Sequence, residues 1–170
     1  DSFLAGEDVA AAGSVYGYCG GLLDEFGSRR VIDTPISEKG IMGLGVGASA
    51  TGCRPIIDLM FMDFLGECMD EVANQMAKMR FMFGGKATLP VTVLTMGGAG
   101  GGMAAQHSQS LEAWLAHLPG MKVVMPSDAY DANGMIIAAA RDDNPVFVVL
   151  NKQSLAMSME VPEESYEVPI

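Results

Sequence analysis

Asp33-Thr34-Pro35-Ile36-Ser37-Glu38-Lys39-Gly40-Ile41-Met42-Gly43-Leu44-Gly45-Val46-Gly47-Ala48-Ser49-Ala50-Thr51-Gly52 is the stretch that decides the fold. An apolar run, Val31 to Thr34, feeds a proline-bearing turn, and Ser37 then caps a helix that Glu38 opens. Gly43, Gly45 and Gly47 each weaken a helix by about 0.5–1 kcal/mol relative to Ala. A helix that carries all three must have its backbone unusually close to something else. Strand, turn and helix in that order form the opening of a beta-alpha unit, with an acid at the carboxyl end of the strand.

Outward from this stretch the same alternation recurs. Strands are expected at residues 3–5, 31–34, 55–61, 90–95, 121–125 and 145–150, and helices at 15–26, 38–51, 63–82, 109–117 and 128–141. Most of the strand runs are continuously apolar, as parallel strands buried on both faces require. The expected fold is therefore α/β: a doubly wound, mostly parallel sheet of about six strands with helices on both faces. In the 63–82 helix, Leu65, Met69, Val72, Met76, Met79 and Phe83 fall on one stripe. Phe64, Cys68 and Phe81 make a second apolar side, so part of this helix is expected to pack against another chain.

Composition narrows the function. The chain has 170 residues, 49% of them hydrophobic, enough for one domain with a real core. Ten Lys and Arg stand against 21 Asp and Glu, a net charge of -11, which argues against nucleic acid as a partner. Cys19, Cys53 and Cys68 follow no metal-ligand spacing and read as structural thiols of a reducing compartment. No run of about 18 apolar residues is present to serve as a membrane span. The expected location is the bacterial cytoplasm or an organelle matrix.

Three places carry potential chemistry. Glu38 sits where ligands bind in open α/β sheets, although the residues alone favour a surface acid placed by the helix dipole. The loop Gly97 to Gly102, followed by Gln106-His107-Ser108, lies between a strand and a helix and offers backbone N–H groups to a ligand or an anion. It lacks the G-K-[ST] of a Walker loop, and no G-x-S-x-G elbow supports a serine hydrolase. Gly45-x-Gly47-x-x-Ala50 imitates a dinucleotide fingerprint but begins inside a helix. Arg141-Asp142-Asp143-Asn144-Pro145 is a polar turn whose oxygens suit a hard cation.

Gly6-Glu7-Asp8-Val9, V-I-D-T-P-I-S-E-K-G over 31–40, K-M-R-F-M-F-G-G-K over 78–86 and A-A-Q-H-S-Q-S over 104–110 closely resemble the beta subunit of thiamine diphosphate-dependent 2-oxoacid and acetoin dehydrogenases. The resemblance extends through Arg141–Pro145 into Val161-Pro162-Glu163-Glu164-Ser165-Tyr166. It implies a transketolase-like pyrimidine-binding domain over residues 1–156, cut short at its N-terminus, with 157–170 a linker toward a C-terminal domain absent from this chain. The implied function is the pyrimidine-binding half of a thiamine diphosphate site, completed by an alpha subunit that binds the diphosphate and most of the Mg. A second beta subunit and a lipoyl-bearing acyltransferase are the other implied partners. The isolated fragment is expected to be inactive.

In that family the acid of the I-S-E-x-G motif, here Glu38, contacts a ring nitrogen of the aminopyrimidine. Proton exchange there promotes the tautomer that deprotonates the thiazolium carbon, so the resemblance makes Glu38 catalytic and cofactor-binding. Phe64 corresponds to an aromatic residue packed on the pyrimidine, with Met60 nearby. His107 matches a histidine at the mouth of the site, implicated in acyl or aldehyde transfer to lipoamide. Asp142 and Asn144, with backbone oxygens of Val91 and Ala139, match a structural potassium site of some relatives. Acetoin, pyruvate and branched-chain oxoacids all stay open as substrates. A non-catalytic assembly or regulatory module of the same fold is the alternative, and a stand-alone small-anion binder using the 97–102 loop is a third reading.

Overall fold

The computed structural model describes residues 1–170. Six strands, β1 (Ser2–Gly6), β2 (Val31–Asp33), β3 (Arg54–Phe61), β4 (Thr92–Gly97), β5 (Lys122–Val124) and β6 (Val146–Asn151), form one sheet in the order β2-β1-β3-β4-β6-β5. Every neighbouring pair is parallel. The expected doubly wound α/β sheet is thus the observed one, and it is parallel throughout. β4 is buried along its whole length and β6 along all but its last residue. That is why β6 runs apolar without alternation, and why β4 does so apart from its buried Thr92 and Thr95.

Helix α1 (Leu22–Phe26) is much shorter than the 15–26 span that the sequence predicts. Gly13, Gly17 and Gly21 all take positive φ, as does Ser14, so residues 15–21 form turns in place of helix. Helix α2 (Glu38–Ala50) buries Ile41, Met42, Gly45, Val46 and Ser49 against the sheet. A Cβ on Gly45 would stand 2.9 Å from Ile57 Cγ1, so close packing of α2 on β3 accounts for this glycine. Gly43 and Gly47 lie on the exposed side of α2, where a Cβ on Gly43 would only touch Glu71 Cγ at 4.0 Å and one on Gly47 would meet nothing within 4 Å.

The expected 63–82 helix is broken into pieces. Residues Met62–Cys68 wind as a 3-10 helix, Glu71–Met76 as a π-helix, and only Met79–Met82, α3, closes as a short α-helix. The π turn is marked by Ala77 N donating to Val72 O at 3.0 Å, and Lys78 Nζ caps Ala73 O at 2.5 Å. Leu65, Cys68, Val72 and Met76 are still buried in the main core, whereas Phe81, Met82 and Phe83 at the end are exposed. The apolar stripe therefore determines which residues are buried, and the changing pitch decides where the stripe leaves the core. Helix α4 (Glu112–Ala116) is shorter than the predicted 109–117, while α5 (Ala129–Arg141) starts where Asp128 accepts from Asp131 N at 2.9 Å.

Candidate active site

Strand order fixes where a site can form. The chain leaves β1 for the edge strand β2 and returns through α2 to β3 on the other side of β1, so the winding reverses between β1 and β3. Ligands of open α/β sheets bind beyond the carboxyl ends at such a reversal. Glu7 follows β1 there, Glu38 follows β2, and Met60 to Phe64 end β3 and begin the 3-10 helix.

Ser37 Oγ accepts the Gly40 N–H at 3.3 Å and so fixes the first turn of α2, which holds Glu38 half-buried. A recess of about 620 Å³ opens beside it, with Ile36, Ser37, Asp63, Phe64 and Glu67 on its walls. Glu38 and Phe64, named separately from the sequence, thus share one concavity. His107 is not on its wall but packs edge-on against Phe64, centroids 5.6 Å apart, and against Phe61 at 4.8 Å. Met60 is not on the wall of the recess either, but packs in the same apolar cluster as Phe61 and Phe64. It takes φ 61 in the irregularity of β3 between Asp58 and Phe61, a costly conformation for a residue with a Cβ. Asp58 holds it there: its Oδ1 accepts Met60 N–H at 2.7 Å and its Oδ2 the Tyr18 hydroxyl at 2.6 Å. Burial raises the Asp58 carboxyl above its ordinary value despite these two bonds, which pull it down.

Two acids were missed as site residues on reading the sequence. Burial first, then neighbouring Glu38 and Asp8, push the Glu7 carboxyl above its ordinary value, while the Ser37 backbone pulls it down. Its signal was its place, one residue past a strand end. Asp63 lines the recess, and its Oδ2 is buried without a hydrogen-bond partner. Beneath, Cys68 is buried, and burial, reinforced by Glu38 and Glu71, pushes its thiol up to about 12. Cys19, Cys53 and Cys68 are all free, and burial leaves Cys19 and Cys68 with little thiolate at neutral pH.

The remaining residues gather elsewhere. Val91, Ala139, Asp142 and Asn144 surround the turn from α5 into β6, at the amino ends of β4 and β6 and so across the sheet from Glu38. Val91 O accepts Val146 N–H at 2.9 Å, and Ala139 O accepts Asp142 N–H at 3.2 Å. Asp142 Oδ2 accepts from Lys122 Nζ at 2.5 Å, and its Oδ1 from both nitrogens of Asn144. No group of three or more His, Cys, Asp or Glu comes together as a metal site.

Burial alone would raise the Asp142 carboxyl, but these bonds outweigh it and hold the group below its ordinary 3.8. A depressed carboxyl stabilises the fold above its unfolded value and loses that contribution as pH falls through the folded one. Lys122→Met is therefore expected to cost about 0.5–1 kcal/mol at neutral pH, the scale of a partly exposed pair. The difference should vanish in urea titrations repeated well below pH 3.8. A cost that is equal at both pH values would assign it to lost packing.

Residues 1–157 match the transketolase pyrimidine-binding domain family, and the chain belongs to that family. Among its relatives, the acetoin:2,6-dichlorophenolindophenol oxidoreductase beta subunit of Bacillus subtilis (strain 168) is 51% identical over 98% of this chain and 52% of its own. The pyruvate dehydrogenase E1 beta subunit of Rhizobium meliloti (strain 1021) is 46% identical over 100% of this chain and 37% of its own, and the human mitochondrial one 44% over 96% and 45%. This chain thus spans about half the length of these relatives or less. A solved split-gene transketolase, described as an inactive beta4 tetramer, superposes with a TM-score of 0.70 over 98% of this chain and 50% of its own at 22% identity, which shows the shared fold. No helix is long and apolar enough to cross a membrane.

Proposed function

We propose that this chain forms the pyrimidine-binding half of a thiamine diphosphate site in the beta subunit of a 2-oxoacid or acetoin dehydrogenase. The observation that carries the reading is the joint placement of Glu38 and Phe64 on one recess at the switch point of the sheet. The walls fit an aminopyrimidine: an aromatic ring for its face, a carboxyl for a ring nitrogen, and the unpartnered Asp63 Oδ2 for a further N–H. When bound, thiamine diphosphate supplies the nucleophilic carbon that attacks the substrate carbonyl. Glu38 gives and takes the proton at the ring nitrogen, Phe64 packs on the ring with Met60 nearby, and His107, seated behind Phe64, assists acyl or aldehyde transfer to a lipoyl group.

The reading includes partners: an alpha subunit that brings the diphosphate and Mg contacts, a second beta subunit, and a lipoyl-bearing acyltransferase. The exposed Phe81, Met82 and Phe83 and the bare Gly43–Gly47 side of α2 supply apolar surface for subunit contact. Co-expression with a candidate alpha subunit, thiamine diphosphate titration and a panel of pyruvate, branched-chain oxoacids and acetoin test the proposal. Failure to form a complex or to bind the cofactor would overturn it. Within such a complex His107→Ala is expected to slow lipoyl acylation more than decarboxylation. Equal losses in the two assays would remove the transfer role.

A structural potassium ion at the α5–β6 turn, held by the oxygens of Val91, Ala139, Asp142 and Asn144, belongs to the same proposal. It would share Asp142 with the Lys122 ammonium. Melting temperature should then be higher in potassium than in sodium salts, and identical melts would eliminate the ion.

A further inference from the structure

The peptide group that follows His107 is gripped at both of its polar ends, by side chains of opposite charge from distant parts of the sequence. Asp63 Oδ1 accepts the N–H of Ser108 at 3.1 Å and of Gln109 at 3.0 Å. Lys152, just past β6, donates to the His107 carbonyl and, at 3.2 Å, to the Gly98 carbonyl. Its Nζ lies 5.0 Å from the centroid of Phe61, the ring against which the imidazole packs.

The segment needs such support. Gly98, Gly100, Gly101, Gly102 and Ala104 all have positive φ, and the 3-10 turn Ala105–His107 has no side-chain cap. A stretch like this has little hydrogen-bonded structure of its own, so groups outside it set its position. One backbone bond, Gly98 N–H to Gln109 O at 3.0 Å, closes the loop, but the two charged side chains tie it to the 3-10 helix after β3 and to the segment just past β6. The geometry opposes a role for Lys152 as a reader of substrate carboxylate. An ammonium has three N–H donors, and here two are engaged by carbonyls while the cation rests near an aromatic ring.

We propose that Asp63 and Lys152 act as a charge-paired clamp on the His107–Ser108 peptide and are the positioning residues that set where the His107 imidazole stands. The proposal rests on the reading of His107 as a site residue, and its test separates the two. The chain has only two histidines, so the imidazole Hε1 proton signals number two, and His117→Gln identifies which is which. Lys152→Met is expected to displace and broaden the His107 signal while leaving that of His117 in place. Lys152→Arg, which can donate to both carbonyls, should restore it. In the complex with the alpha subunit, Lys152→Met should lower kcat by about tenfold to a hundredfold, the scale of a misplaced catalytic group, with recovery in Lys152→Arg. Asp63→Ala, which removes the other jaw, gives the same spectral readout should Lys152→Met not fold. An unmoved His107 signal in the variants overturns the clamp, whatever the activity. A displaced signal together with full activity of His107→Ala upholds the clamp and removes His107 from the chemistry.

Discussion

Glu38→Gln, assayed in the complex with the alpha subunit, is expected to lose turnover by about a hundredfold or more, the range that a positioned proton-transfer group contributes. Glutamine keeps the length of the side chain and its hydrogen-bonding reach, and Ser37 still caps Gly40, so the start of α2 and the recess should be unchanged. What glutamine lacks is the ability to give and take a proton at a ring nitrogen. Thiamine diphosphate titration on the same sample separates weak binding from slow chemistry: near-normal affinity with lost kcat assigns the effect to the proton. Near-normal turnover would remove Glu38 from the mechanism and favour an assembly role for the domain.

Gly120→Ala should give the largest loss of stability among single glycine replacements. Gly120 has φ +96, and a Cβ there would stand 2.1 Å from the Ala77 carbonyl oxygen, a backbone atom that has no rotamer to escape into. The strained conformation and the overpacking each cost about 1–3 kcal/mol, and here they act together. A loss of about 2–6 kcal/mol lowers the melting temperature of a chain this size by about 5–20 °C. Gly52→Ala is the control: φ is +100 but no atom lies within 4 Å, so only the conformational part applies. Equal melts for the two variants would show that the turn relaxes away from Ala77.

The same contact explains why the long helix could not be read correctly. Over 63–82 the apolar spacing is helical and identifies Leu65, Val72 and Met76 as core, which they are. The spacing carries no information about the turn before β5 that packs against Ala77, nor about the i→i+5 bond from Ala77 to Val72. The 15–26 span differs, because its signal is present: Gly17, Gly20 and Gly21 are more glycine than a helix of that length carries, and two of them turn left-handed. Similarly, Gly45 and Gly47 looked alike in sequence, but only Gly45 meets the sheet, since a 3.6-residue repeat turns them to different sides of α2.

By itself the sequence determined the parallel sheet, because strands buried on both faces must be continuously apolar, and it determined the start of α2, because Ser37 and Glu38 act on neighbouring backbone. It also carried the motifs that place the chain in its family. Only the tertiary structure decided which side chains meet. Glu38 and Phe64 share a recess, Glu7 stands near Glu38, and Asp63 and Lys152 close on one peptide from 45 residues away on either side. Such meetings follow from strand order and from where each strand stops, and no local pattern along the chain encodes either.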